Sequence, residues 1–469
     1  MGGTDLSGGG PKTIVFFPEG AYGPTNNCVG IGDVLRRRGH RVVFVVEESF
    51  AGRLAAHGFE ERLVRLGAPP VEPEVPGQFW KEFIRDTAPE FRKPTLVQLE
   101  RFIAPTWQAL VDGARYVEPR LREIFAEVAP DVIVEDNVVG FPAVLTNGAP
   151  WVRIMSCNPA ELKDPDVPPA FSGYPASDRT GWDEFRAEYR RTHGEMWAAF
   201  NAFVTDAGAP PLADLEFIHE SPWLNLWLYP AEADYARHEP PAPTWHRLES
   251  AVRATDGPFR LPDEFAARPG RLLYLSLGSL GSADVKLMQR LIDVLGRSSY
   301  RVIVSMGPQH ELLSLHTNML GAEFLPQPAI LPQVDLVITH GGNNTVTECF
   351  RHGRPMIVLP LFWDQYDNAQ RVAETGFGAR LATYEFTGEE FLGTVERLLA
   401  DGDLSARLAA LSARLASVPG TVRAADLVEQ LACTREPVLR TGYSRSPAQS
   451  SEMAGNAGRP AAATRRFLP

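Results

Sequence analysis

The sequence predicts an α/β protein of two doubly wound domains, each a parallel sheet covered by helices on both faces. Three observations carry this prediction. Short apolar, β-branched runs alternate with segments of helical spacing, the pattern of strand–helix–strand units whose strands are buried on both sides. A proline-rich stretch interrupts the alternation, which then restarts. A chain of 469 residues also exceeds what one hydrophobic core usually organises.

Taken in order, residues 1–10 read as a flexible leader and 11–234 as the first domain. In it, 13–17, 42–46, 132–134 and 151–155 are expected strands, with Glu135 and Asp136 closing the third. A helix is expected over 27–38, ended by Gly39, and further helices over 96–115, 118–127 and 182–207. Trp223, Leu224, Leu226 and Trp227 suggest one more core strand. The aromatic cluster Phe79, Trp80, Phe83 and Phe91 fits either a pocket lining or ordinary packing. Residues 235–270 carry the prolines of an interdomain linker. The second domain, 271–433, has expected strands at 272–277, 301–306, 323–325, 336–338 and 356–359. Its helices fall at 286–295, 391–399, 404–415 and 421–433, with a turn over 278–282. Residues 434–469 are rich in Ser, Ala, Pro, Gly and Arg without apolar periodicity and read as a disordered tail.

Charge and composition exclude several classes. A net charge of −12 argues against a nucleic-acid partner. No apolar run is long enough to span a bilayer, and the N-terminus lacks the basic start and apolar core of a signal peptide. Cys28, Cys157, Cys349 and Cys433 are scattered, without metal-type spacing. They read as reduced thiols in a cytoplasmic protein that needs neither membrane nor metal.

The most informative stretch is THGGNNTVTE, residues 339–348. An apolar strand, a glycine turn and a helix start present free backbone N–H groups at the positive end of the helix dipole, a site for a diphosphate. Gly341 and Gly342 let an anion approach the backbone. His340 can donate to a phosphate oxygen, and Glu348, one turn beyond Asn344 and Thr345, can grip ribose hydroxyls. Asp364 and Gln365 follow the next strand, where a carboxylate and an amide can read vicinal diols. Gly30 and Gly32 fall inside the expected first helix, so they do not form a dinucleotide fingerprint.

With these motifs in place, the chain from about Lys12 to about Ala432 resembles the UDP-glycosyltransferases (glycosyltransferase family 1), including their bacterial natural-product branch. The resemblance implies the GT-B fold, two doubly wound Rossmann-like domains facing a central cleft. It implies that His340 and Thr345 contact the donor diphosphate, that Asn344 supports the α-phosphate and that Glu348 binds ribose. Phe324, before Pro326 and Gln327, matches the aromatic that stacks on the base, and Gln327 the group that bonds its edge; Phe in place of Trp leaves uracil and thymine open. Asp364 and Gln365 match the sugar-reading pair. Gly278, Ser279, Gly281 and Ser282 match the loop over the phosphates. The implied reaction is inverting, metal-independent and cofactor-free transfer from a UDP- or dTDP-sugar to a small-molecule acceptor, in the setting of secondary metabolism.

The first domain departs from the family. Gly23, Asn26 and Gly39-His40 keep its spacing, but Pro24 stands where the catalytic histidine is expected. Proline cannot take a proton. Asp136 matches the carboxylate that orients that histidine. Either the acceptor is already ionised, or another carboxylate substitutes, Asp136 first and Glu19 or Glu135 behind it, or the chain is a catalytically silent nucleotide-sugar-binding auxiliary protein. His57 and His193 are more distant substitutes. A transferase acting on a lipid carrier would need a basic, apolar membrane-facing patch, which the sequence lacks.

Overall fold

The computed structural model describes residues 10–69, 86–254 and 257–440. Two all-parallel sheets organise them. The first joins β1 (Thr13–Pro18), β2 (Arg41–Glu47), β3 (Glu60–Val64), β4 (Val132–Asp136), β5 (Trp151–Met155), β6 (Leu224–Trp227) and β7 (Trp245–Arg247) in the order β3-β2-β1-β4-β5-β6-β7. The second joins β8 (Leu272–Ser276), β9 (Arg301–Ser305), β10 (Met319–Ala322), β11 (Leu336–Thr339), β12 (Met356–Val358) and β13 (Gly378–Arg380) in the order β10-β9-β8-β11-β12-β13. In each sheet the winding reverses once, between β1 and β4 and between β8 and β11. Ligands of open α/β sheets bind at the carboxyl ends of strands flanking such reversals.

The central strands are buried throughout because crossover helices cover both faces. The longer helices that matter below are α1 (Tyr22–Arg37), α2 (Ala104–Val128), α3 (Trp182–Asp206), α4 (Val285–Gly296), α5 (Asn343–His352), α6 (Gln365–Glu374), α7 (Gly388–Ala400), α8 (Gly402–Ser417) and α9 (Gly420–Thr434).

Several expectations are corrected. The segments 96–115 and 118–127 are not two helices: α2 runs unbroken through Pro119. Its buried stripe of Ala114, Val117, Leu121 and Ile124 continues across the proline, which sits on the exposed side. The loss of one hydrogen bond on that side is outweighed by continuous burial. The strand expected at 323–325 lies earlier, at β10, and 323–325 are loop. Strands β3, β7 and β13 were not anticipated, because each is short and its polar residues obscure the apolar signal. Glu60 of β3, for example, is held by Arg41 on the neighbouring strand at 2.9 Å.

The boundary between domains also differs from the expected one. Residues 235–270 are not all linker: β7 completes the first sheet. Helix α9 does not close the second domain. It crosses back, and Ala424, Ala425, Val428 and Leu431 join Ile14, Phe16, Ile31 and Phe44 in one apolar cluster. Polar contacts fix the crossing. The Lys12 N–H donates to His40 Nδ1 at 3.1 Å, and His40 Nε2 meets Glu429 of α9 at 2.7 Å, while Arg38 reaches Asp426 at 2.7 Å. Residues just past 433 are ordered too: the Val438 N–H donates to the Trp223 carbonyl at 2.9 Å, and His246 to the Val438 carbonyl at 3.0 Å. The remainder of the expected tail, 441–469, most of the leader, and Phe79, Trp80 and Phe83 lie outside the described residues.

Candidate active site

The donor side grows out of β11. Its four buried residues deliver His340 to the carboxyl edge of the sheet, and α5 begins three residues later with Gly342 as its N-cap. Gly341 has φ of +93°, and a Cβ there would lie 2.7 Å from Val358, so only glycine makes this turn. The His340 ring occupies a slot between two further glycines: a Cβ on Gly278 or Gly342 would approach it to 2.7 or 2.6 Å. Burial pushes the pKa of His340 down to about 4, so its imidazole is neutral near pH 7. Ser279 lies in the short helical turn Gly278–Gly281 beside this slot.

One turn along α5, three expected donor residues meet. Gln327 Nε2 donates to Glu348 Oε2 at 2.6 Å and to Thr345 Oγ1 at 3.1 Å. Arg253, from the segment between the domains, approaches Glu348 Oε1 at 3.6 Å. Phe324 stands at the rim, 55% exposed, with its ring 6.3 Å from that of Tyr22 in α1. Asn344 is engaged elsewhere: its amide donates to the Gly23 carbonyl at 2.9 Å, tying α5 to the first turn of α1. Arg253 and Tyr22 had no sequence signal, since a lone arginine after a proline-rich stretch and a lone tyrosine carry no motif.

Asp364 and Gln365 lie at the seam of the two domains. The Asp364 carboxylate accepts the Asn158 N–H at 2.8 Å, and Asn158 in turn donates to Asn368 at 2.9 Å. The Gln365 carbonyl oxygen accepts the Leu361 and Phe362 N–H groups at 3.1 and 3.3 Å. Asp367 on the same helix accepts the N–H groups of Phe171 and Gly173 at 2.6 and 2.8 Å. The start of α6 is therefore both a sugar-reading candidate and the clasp between domains.

Opposite it, β1 and β4 end in carboxylates. Pro24 is the third residue of α1, where its missing N–H would have had no intrahelical partner, so proline costs the helix little. Asp136 is 2% exposed and accepts the Ser156 hydroxyl at 2.7 Å. Burial raises its pKa to about 7 despite the hydrogen bond from Ser156. Glu19, directly after β1, is half-buried; burial and then the charge of Asp364 raise its pKa to about 7. A narrow cleft opens beside Glu19, walled by Phe17, Val64, Leu66, Leu110 and Phe141. His193 is no part of this: it stacks on Tyr189 at 4.0 Å within α3.

Glu135 is fully buried and takes no part in the cleft wall, with neither carboxylate oxygen hydrogen-bonded among the described residues. Burial pushes its pKa up to about 8, against the pull of Arg153. Because the folded state holds this proton more tightly than the unfolded chain, its stabilising contribution is full below about pH 4.5 and is lost as pH rises through about 8. Glu135→Gln is accordingly expected to raise the melting temperature at alkaline pH and to change it little in acid. Thermal melts of both proteins across pH check this.

Two Rossmann-like sheets, with a glycine-lined histidine at a helix N-terminus on one side and a cleft with carboxylates on the other, have the architecture of the GT-B fold. Residues 268–414 match the family described as UDP-glucoronosyl and UDP-glucosyl transferase. The C-terminal domain belongs to that family, and the chain is a glycosyltransferase of natural-product type. It is 26% identical over 426 residues to the oleandomycin glycosyltransferase of Streptomyces antibioticus, covering 89% of this chain and 90% of the relative. It is 24% identical over 428 residues to the demethyllactenocin mycarosyltransferase of Streptomyces fradiae, covering 89% and 86%. Among solved structures, the glycosyltransferase of kitacinnamycin matches with a TM-score of 0.65 at 21% identity, covering 90% of this chain and 99% of that one. The spinosyn rhamnosyltransferase complexed with thymidine diphosphate matches with a TM-score of 0.58 at 20% identity, covering 89% and 99%. At these identities the structures speak for the fold. No described helix is long and apolar enough to cross a membrane.

Proposed function

We propose that the chain transfers a sugar from a UDP- or dTDP-sugar to a small hydroxyl-bearing secondary metabolite, with inversion and without a metal, in the cytoplasm. The single observation that carries the donor half is the Gln327–Thr345–Glu348 network beside the His340 slot. It sets an amide, a hydroxyl and a carboxylate along one helix turn from a diphosphate-sized anion site. In this reading Glu348 and Gln327 exchange their mutual contact for ribose and base edge. Phe324 stacks on the base, and Gly278, Ser279, His340, Gly342 and Thr345 surround the diphosphate, with Asn344 holding the neighbouring backbone. Asp364 and Gln365 read the sugar. The N–H groups of α5 and His340 stabilise the departing diphosphate. Proton removal falls to a carboxylate at the carboxyl ends of β1 and β4, because Pro24 offers no base.

Calorimetric titration with UDP and dTDP tests the donor half. Selective binding is expected, with Glu348→Ala weakening it by about 10-fold, the worth of one charge-assisted hydrogen bond. No binding by the folded protein would sink the reading. Pro24 favours a second reading, a silent auxiliary protein that binds the nucleotide sugar; turnover with any acceptor removes it.

A further inference from the structure

Resting on that transferase reading, we infer that Glu19 is the general base, that Asp136 is a positioning residue behind it, and that the acceptor is a largely apolar molecule presenting a hydroxyl.

The two carboxylates share one sheet edge but differ in access. The Glu19 N–H donates to the Asp136 carbonyl at 2.9 Å, which fixes the loop after β1 against the end of β4. Glu19 forms part of the cleft wall, whereas Asp136 does not. Glu19 is half-buried and its carboxylate makes no hydrogen bond among the described residues, while Asp136 is sealed in and committed to Ser156. The other acid on the cleft, Glu47, already accepts the Ser49 hydroxyl at 3.2 Å. The remaining wall is mostly aromatic and aliphatic, which favours an apolar acceptor body. Asp364, on the sugar-reading side, acts electrostatically on Glu19.

The step balances. Glu19 takes the hydroxyl proton as the acceptor oxygen forms its bond to the anomeric carbon. The bond from that carbon to the diphosphate breaks, and its electron pair leaves with the nucleoside diphosphate beside His340. Glu19 then releases the proton to solvent. Asp364, Asp136 and Cys157 interact with it electrostatically, and Glu47 lies over the neighbouring Gly20. Burial first, and then the charge of Asp364, hold its pKa at about 7, so the rate should climb as pH rises through neutrality and Glu19 ionises.

The test compares wild type, Glu19→Gln and Asp136→Asn on a panel of hydrophobic alcohols and on 4-nitrophenol at alkaline pH, where it is already phenolate. Glu19→Gln is expected to lower kcat/KM on alcohols by about 10²–10⁴-fold and to erase the climb with pH, with a much smaller loss on the phenolate. Its affinity for UDP or dTDP should be unchanged. Asp136→Asn should keep the climb but move it to lower pH, because a neighbouring negative charge is gone. Alcohol turnover by Glu19→Gln within a few-fold of wild type, an equal loss on the phenolate, or loss of nucleotide affinity would each overturn the assignment. A wild-type protein that binds nucleotide yet transfers to no acceptor would overturn the transferase reading, and this inference with it.

Discussion

His340→Ala is expected to lower turnover by about 10²–10³-fold, the usual effect of removing one preorganised donor to a developing anion. Nucleotide affinity should fall much less. The reason lies in when the interaction matters. The imidazole is neutral in the free protein, so its attraction for the ground-state diphosphate is that of a neutral donor. As the bond to the anomeric carbon breaks, charge builds on the diphosphate oxygen. A donor held rigidly between Gly278 and Gly342 meets that charge without reorganising. Interactions that strengthen only in the transition state appear in kcat rather than in binding. Steady-state kinetics beside calorimetry separates the two: a parallel loss in both would make His340 a binding residue only. Gly278→Ala offers an independent check, since its Cβ would stand 2.7 Å from the ring and displace it.

The largest stability effect is expected at Gly420→Ala. Gly420 opens α9, where the chain crosses back to the first domain, and a Cβ there would lie 1.8 Å from the Ser250 carbonyl oxygen and 2.6 Å from that of Leu248. Both obstacles are backbone, so no rotamer change relieves the contact. The helix must shift, and with it the contacts of Ala424, Ala425 and Val428 on the first domain. Overpacking of this kind costs about 3 kcal/mol, enough to lower the melting temperature clearly and to expose α9 to protease. Gly393→Ala is the control: it lies inside α7 with nothing within 4 Å of its would-be Cβ, and alanine there should stabilise slightly. If both variants melt together with wild type, α9 is not docked as described.

Motifs were legible wherever function is written in consecutive residues. The turn from Thr339 to Glu348 reads directly because the proposed diphosphate site needs a strand end, glycines and a helix start in that order. The pair Asp364–Gln365 reads for the same reason. What could not be read is what those side chains do in the folded, unliganded protein. Gln327 and Glu348 are 21 positions apart and find each other only because the short helix that Gln327 opens folds against α5. Asp364 meets Asn158 across 206 positions. The proposed general base was the least legible feature. Glu19, Asp136 and Glu135 are equivalent in sequence, each a carboxylate at or beside the end of a strand.

By itself the sequence determined two parallel α/β domains and a nucleotide-type turn, because periodicity, glycine placement and helix starts are local properties of the chain. Only the tertiary structure decided that β7 and α9 belong to the first domain, and that Glu19 faces the cleft while Asp136 and Glu135 are sealed. Those outcomes depend on which surfaces are covered when distant segments pack. A carboxylate's access to a substrate is a property of its neighbours in space, and no spacing along the chain encodes it.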